Sequence, residues 1–524
     1  VREQNLPLTR REFLAGAALM SMGAGSGDSL LSDEKCNAVL ILSPIACGRL
    51  LRIDSGVAQA LPEVLAVVRT GRDDQIHYLG EPLGVLVAKS AAAAEQAARS
   101  CSVFYESRPA VLTTSAALTD AHVPSPAAAP WPFSDAIALT YERGNPDAEL
   151  QQATGGFILL QTYRTAPESP DSATPLLRKV LDELTARAEK AAGQPGGVRL
   201  ALSPRQTEVL SGHRPETIQT LSLAAGHDGR LRALIHSSLN ETAMTDEYVE
   251  PCGAVSRQLY QIDNLRVTHK VVRKNIAPAT ALAAAGLLPG LFALESALDE
   301  LAYLIKFDPV RLRLLNHAEV DAVTGQTWES GKQLRECYRL GMERIGWNGE
   351  GGAPGWVHEP RSQHEGKFLR GLGMASTMGW RQPLQQGSAN PGFGAHFVKV
   401  LCDPRTGSVW IARHIVALDV GAVPSLEQAE SWAREGISLG HARALLTSQK
   451  GEKRPASETS EPKPPAEIEV IFVQPEPESQ AKSAVPACRA AVRELALAGT
   501  AAAVANAIHH ATGIRYRELP IVIG

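Results

Sequence analysis

The residue with the most chemical promise in this chain is Glu494, near the start of the stretch that runs from Ala491 to Pro520. A run of small residues, 495–500, follows it, and Val504, Ala507, Ile508 and Ala511 then recur at helical spacing until Gly513, a residue type that ends helices. An acid just ahead of a helix's first turn lies near unpaired N–H groups and the positive end of the helix dipole. Such a carboxylate serves as a general base, or else as a cap or a solvated charge. Two further acids, Glu295 and Asp299, share a helix with Leu291, Leu294, Leu298, Leu301 and Ile305. Polar positions opposite a buried leucine face make them structural rather than catalytic. The seven cysteines are scattered and never spaced as C-x-x-C. That argues against a zinc ribbon, an iron–sulfur cluster held by this chain or a disulfide framework, and no metal-ligand set emerges.

The elements that must position Glu494 read as α+β. A chain of 524 residues has room for several domains and a large core. With 44% hydrophobic residues, 21% charged residues and a formal net charge of -4, its composition is globular and lacks the basic footprint that nucleic acid or an anionic membrane surface requires. No stretch approaches the roughly 18 consecutive apolar residues of a membrane span. These features leave a small-molecule substrate and protein partners.

Along the chain, residues 1–28 read as a targeting segment. Thr9-Arg10-Arg11-Glu12-Phe13-Leu14 and the weakly apolar run after it resemble a twin-arginine export signal, which implies a periplasmic protein; without export it is cytoplasmic. Short apolar strands are expected at 38–42, 64–68, 83–88 and 103–105, with a helix over 91–101 capped by Ser90. Residues 119–150, rich in Pro, Ala and Asp, read as a linker. A charged helix follows over 173–192, and Asp228-Gly229 marks a turn between two strands. The leucine-faced helix comes next, then paired strands about the turn 403–407 and a helix over 425–446. Lys, Glu, Ser and Pro dominate 448–467, the composition of a disordered loop.

The C-terminal stretch resembles the signature KGxGELxxxGxxxAxANAxxxATGxRxRxLP of the molybdenum-binding large subunit of the xanthine dehydrogenase and aldehyde oxidase family, nearest its bacterial periplasmic aldehyde oxidoreductase type. Glu494-Leu495, Gly499, Ala505-Asn506-Ala507, Ala511-Thr512-Gly513, Arg515, Arg517, Leu519 and Pro520 match, whereas the lysine and both glycines before Glu494 do not. Residues 35–118 resemble that family's α/β hammerhead domain, through Leu61-Pro62-Glu63-Val64-Leu65-Ala66-Val67 and Gly80-Glu81-Pro82-Leu83-Gly84-Val85-Leu86-Val87-Ala88. The string Pro289 to Ala302 and Asp308-Pro309-Val310-Arg311-Leu312-Arg313 are also close to the family's own. The resemblance implies a hammerhead domain followed by two partial molybdopterin-binding α+β domains, 151–347 and 348–524.

The resemblance further implies Glu494 as the base that takes a proton from water activated at molybdenum during oxidation of an aldehyde or N-heterocycle. Gly499, Thr500 and Ala501 fall where the family holds its cofactor, molybdopterin cytosine dinucleotide with molybdenum. The implied partners are a small iron–sulfur subunit and an FAD-binding subunit. Three departures stand out. The family's R-x-P-G is here Ala283-Ala284-Ala285-Gly286, its glycine-rich loops are altered, and Arg493, a cation expected to lower the carboxylate's pKa, replaces the glycine before Glu494. A non-catalytic relative that keeps only the scaffold is the alternative.

Overall fold

The computed structural model describes residues 35–71, 73–128, 139–151, 156–170, 173–320, 333–347, 364–365, 368–380, 392–420, 423, 425–446, 465–473 and 485–522. The expected targeting segment and residues 448–464 of the expected loop lie outside them.

Alternating apolar residues build the first layers: β1 (Cys36–Leu42), β2 (Gly48–Asp54), β3 (Val64–Arg69), β4 (Gln75–Ile76), β5 (Pro82–Ala88) and β6 (Ser102–Ser107), with α1 (Ala91–Arg99) between the last two. The Ser90 hydroxyl accepts the Ala93 N–H at 3.2 Å, the cap the sequence predicts. β7 (Thr140–Arg143) and β8 (Phe157–Thr165) then open a different sheet, so the expected linker contains a strand and ends in a short helix, Pro146–Gln151. α2 (Pro175–Ala192) and β9 (Val198–Leu200) return to the first unit, where β9 pairs parallel with β1.

This return corrects the expected boundary at residue 118. α2 carries Leu177, Leu184 and Ala188 on one face, and these residues are buried against Cys36, Ala38, Leu40, Val85 and Val87. The apolar stripe of the helix finds its partner in the N-terminal sheet, not in the domain that follows it in sequence.

β10 (Thr217–Ala225), β11 (Leu231–Ala243) and β12 (Asn264–Lys274) complete a six-stranded sheet with β7 and β8. Its edge strand, β19 (Glu518–Leu519), comes from the far end of the chain. α3 (Leu287–Leu304) packs between this sheet and the C-terminal half. Fifteen of its residues are buried, Glu295 and Asp299 among them, so the predicted single buried face is buried nearly all round. The two acids are paired: Glu295 meets the Nε of Arg313 at 2.7 Å with neither side chain exposed, and Asp299 meets Arg515. Their structural reading stands.

A five-stranded sheet forms the C-terminal half, in the order β13 (His364–Glu365), β14 (Phe368–Met378), β15 (Phe393–Cys402), β16 (Val409–Asp419) and, after the pair-forming β17 (Leu445–Leu446), β18 (Glu467–Phe472). β18 begins at Glu467, the last residue of the expected loop. Across this sheet run α4 (Leu426–Ala444), α5 (Val485–Ala498) and α6 (Thr500–Thr512). One apolar cluster joins α3, β14, β15 and α6, so the two halves share a core. The helical run Cys488–Thr512 has the length and composition of a membrane-crossing helix, contrary to the sequence expectation, but 83% of its most apolar window is buried inside the protein.

The backbones of β14 and α6 approach so closely that only glycine fits between them. A Cβ on Gly373 would lie 2.1 Å from the Ala507 nitrogen and 2.5 Å from the Ala503 oxygen, both backbone atoms that cannot yield by rotating. Gly373→Ala is expected to destabilise the protein by about 2 kcal/mol through overpacking. Urea denaturation of the variant beside wild type checks this.

Candidate active site

Glu494 lies near the C-terminal end of α5, and the next helix, α6, begins only at Thr500. The expectation of an acid ahead of a first turn is therefore corrected. The small residues Leu495 to Ala498 continue the helix instead of interrupting it, and the break falls at Gly499. Proximity to the N-terminal dipole no longer explains how the charge is held.

What holds it is a turn from another domain. The Ala284 N–H, just before α3 begins, faces the Glu494 carboxylate and favours its charged form. Ala284 is fully buried and has φ 59, a left-handed conformation that a residue with a Cβ adopts only at a cost of about 1–2 kcal/mol. Every neighbour in the turn is tied. The Arg214 guanidinium donates to the Ala283 carbonyl at 2.7 Å and to the Ala284 carbonyl at 3.4 Å. The Trp380 indole donates to the Ala285 carbonyl at 2.8 Å, and the Gly286 N–H donates to Glu250 at 2.8 Å.

Arg214 is the centre of this clamp. Neither its side chain nor that of Glu250 is exposed, and the two are ion-paired; its Nε also reaches Glu168 at 3.2 Å. Glu168 is shared with Arg443 of α4, and the Tyr248 hydroxyl donates to Glu250 at 2.7 Å. Burial alone would lower the pKa of Arg214, but the two carboxylates more than offset this and hold it above the ordinary value.

Glu494 keeps part of its surface open while protein packs around its carboxyl. Burial raises its pKa above the usual carboxylate value, against the opposing pull of the Ala284 N–H, Arg214 and Arg493. The direction expected of Arg493 holds. Its cation does act downward, but Arg493 also pairs with Glu435 on α4 at 2.9 Å, and desolvation outweighs it.

Gly499, Thr500 and Ala501 face protein in this structure. A Cβ on Gly499 would lie 2.5 Å from the His396 ring. The Thr500 hydroxyl donates to the Ala496 carbonyl at 2.8 Å, and Ala501 is fully buried. The one side-chain polar atom among the three, the Thr500 hydroxyl, is thus already bonded within the helix, so their side chains offer a pterin no free donor. Residues 381–391, flanked in sequence by Trp380 and Gly392, lie outside the described residues. Trp380 bonds the Ala285 carbonyl, and a Cβ on Gly392 would meet Leu495 at 2.8 Å, so these two residues lie beside the site. A cavity of about 330 Å³ lies elsewhere, bordered by Arg69, His77, Glu81 and Thr245. Among the described residues no cluster of His, Cys, Asp or Glu has the form of a metal site.

Sequence reasoning brought out Glu494 but not Arg214, Glu168 or Glu250, which meet only through the fold. It also passed over His396, His414 and His441, whose rings line up beside the α5–α6 junction.

These features describe a class: α+β folds in which an acid near the C-terminus lies against the turn that precedes a long buried helix. Residues 181–317 match the family described as the molybdopterin cofactor-binding domain. The chain is 32% identical over 205 residues to the aldehyde oxidoreductase molybdenum-binding subunit PaoC of Escherichia coli (strain K12), a match covering 39% of this chain and 26% of that protein. It is 28% identical over 274 residues to a nicotinate dehydrogenase subunit of Pseudomonas putida, covering 50% of this chain and 20% of the relative. The matches thus span about a quarter or less of these relatives' lengths.

Among solved structures, the aldehyde oxidoreductase from Desulfovibrio desulfuricans superposes with a TM-score of 0.71 at 15% identity, covering 94% of this chain and 77% of that one. Quinoline 2-oxidoreductase from Pseudomonas putida 86 superposes with a TM-score of 0.66 at 16% identity, covering 94% of each. Over the matched residues the chain is thus similar to molybdenum-binding subunits, and it shares its fold with these solved oxidoreductases.

The clamp yields a test. Arg214→Met leaves Glu250 buried and unpaired and is expected to cost about 3–5 kcal/mol. Arg214→Met with Glu250→Gln removes both charges and should lose less. Chemical denaturation of the single and double variants gives the comparison.

Proposed function

We propose that this chain is the molybdenum-binding part of an oxidoreductase that oxidises an aldehyde or an N-heterocycle, takes its oxygen from water and passes electrons to an iron–sulfur subunit and on to an FAD-binding subunit. The observation that carries the reading is Glu494 itself: a carboxylate with a raised pKa, partly open, at the place where α5 meets the turn before α3. Kinship with molybdenum-binding subunits supports it. Molybdopterin, here proposed in its cytosine dinucleotide form, would supply the redox chemistry when bound. The side chains of Gly499, Thr500 and Ala501 offer it no free donor, and no step is routed through them.

The chain's own contribution is the proton. Burial brings the Glu494 carboxyl closer to the neutral range than a solvated glutamate, which suits an acceptor that must later release what it takes. The Ala284 N–H fixes the direction of the carboxylate and favours its charged form, keeping it from becoming a permanently protonated acid. Arg214 acts in the same direction from behind the turn. We further propose twin-arginine export to the periplasm, on the strength of residues 9–14 and the run that follows them.

The packing of Gly499, Thr500 and Ala501 against His396, Ala496 and the core favours a second reading, a scaffold relative without cofactor. Metal analysis separates the two. Protein expressed with its partner subunits and the cell's cofactor machinery is expected to carry close to one molybdenum per chain; protein free of the metal would support the scaffold. In loaded protein, Glu494→Gln should lower aldehyde-dependent dye reduction by at least about a hundredfold, the scale of a lost general base. Unchanged turnover would remove Glu494 from the mechanism.

A further inference from the structure

Three histidines far apart in sequence form one hydrogen-bonded row. His396 Nδ1 of β15 lies 2.9 Å from His414 Nε2 of β16, and His414 Nδ1 lies 2.8 Å from His441 Nε2 of α4. At the other end, His396 Nε2 is 3.1 Å from the Leu495 carbonyl oxygen. That carbonyl belongs to the residue after Glu494.

The chemistry of the row fixes every proton in it. A carbonyl oxygen only accepts, so His396 Nε2 must donate. A neutral imidazole carries a single N–H, so His396 Nδ1 accepts and His414 Nε2 donates. The same step makes His441 Nε2 the donor to His414. His396 and His414 are fully buried, and burial pushes the first down to about 4 and the second well below the ordinary histidine value, so both are neutral at ordinary pH. His441 is the partly exposed end. The row runs one way, from His441 to Leu495.

The junction between the helices is shaped to receive it. The Thr377 hydroxyl also donates to the Leu495 carbonyl, at 2.9 Å. Glycine at 499 lets both donors approach, because a Cβ there would lie 2.5 Å from His396 and 3.1 Å from Thr377. Side chains thus occupy a carbonyl in the last turn of α5, and the helical run breaks beside them. A purely apolar filling of this space would leave that carbonyl without these two donors.

We propose that His396, His414 and His441 act as positioning residues for Glu494: the row, anchored at His441 and with its tautomers fixed by the Leu495 carbonyl, holds that carbonyl and the end of α5 in place and so aims the carboxylate at Ala284. The proposal rests on the reading of Glu494 as a proton acceptor. The charged groups facing that carboxylate are Arg214, across the turn, and Arg493, on its own helix and paired with Glu435 of α4. Within the row, the three rings face one another from β15, β16 and α4.

The test reads the carboxyl directly, without turnover. Infrared titration of Glu494 in the full chain, with Glu494→Gln as the blank, is run on wild type, His441→Leu and His441→Gln. Glutamine can place an N–H near the position of Nε2, whereas leucine cannot. His441→Leu is expected to raise the Glu494 midpoint by about one pH unit, because the carboxylate is freed to move off the Ala284 N–H that favours its charged form. His441→Gln should stay near wild type. An unchanged midpoint in folded His441→Leu overturns the proposal, as does a glutamine variant that behaves like leucine.

Should the leucine variant fail to fold, nitrogen-15 histidine spectra of wild type decide. Nε2–H tautomers on all three rings support the row, and an Nδ1–H tautomer on any one overturns it. A carboxyl that titrates as expected while Glu494→Gln retains turnover would refute the base and leave the row standing.

Discussion

A guanidinium with no exposed surface holds this molecule's site together. Arg214 lies among Glu250, Glu168 and the carbonyls of Ala283 and Ala284, and each of these groups answers part of the cost of taking its charge out of water. The partners come from separate stretches of chain, so the pairing forms only when the fold is complete. Its product is a turn whose shape is otherwise unfavourable: a left-handed alanine presenting its N–H outward to Glu494. Remove the cation, and the turn has no reason to keep that shape.

The second constraint is the junction of α5 and α6. Small residues there serve packing as much as helix propensity. Gly499 admits His396 and Thr377, Gly440 of α4 lies against Thr500, and Gly373 lies against α6. A run of alanines at 501–503 is fully buried where larger residues would force the sheet away. The signature that marks the C-terminal stretch is thus explained largely by close backbone approach. Its glutamate is the exception, since its position within α5 is set by the junction and its hydrogen bond by the turn.

Much of the scaffold was legible in the sequence because local signals agreed with the final contacts. The Ser90 cap, the Asp228-Gly229 turn, the stop at Gly513 and the leucine repeat of α3 each emerged as read. Errors arose where a local signal had two structural outcomes. The stripe of Leu177, Leu184 and Ala188 announces an amphipathic helix but not which sheet it will cover, and α2 covers the earlier one. The small residues after Glu494 suit a loop or a helix, and tertiary packing chose the helix. Arg214 and the three histidines were illegible for a different reason: their partners lie 18 to 99 residues away, and nothing in the spacing of His396, His414 and His441 says that their rings meet. The family signature located the acid, but its environment had to come from the fold.

The central claim is that the clamp built on Arg214 delivers the Ala284 N–H to Glu494. Amide hydrogen exchange at Ala284, in wild type and in Glu494→Ala, tests that contact most directly. The account predicts a protected amide in wild type that exchanges about tenfold faster in the variant, the loss of one hydrogen bond of ~1.4 kcal/mol, while the amides of α3 beyond its first turn are unchanged. Equal exchange at Ala284 in the two proteins would contradict it.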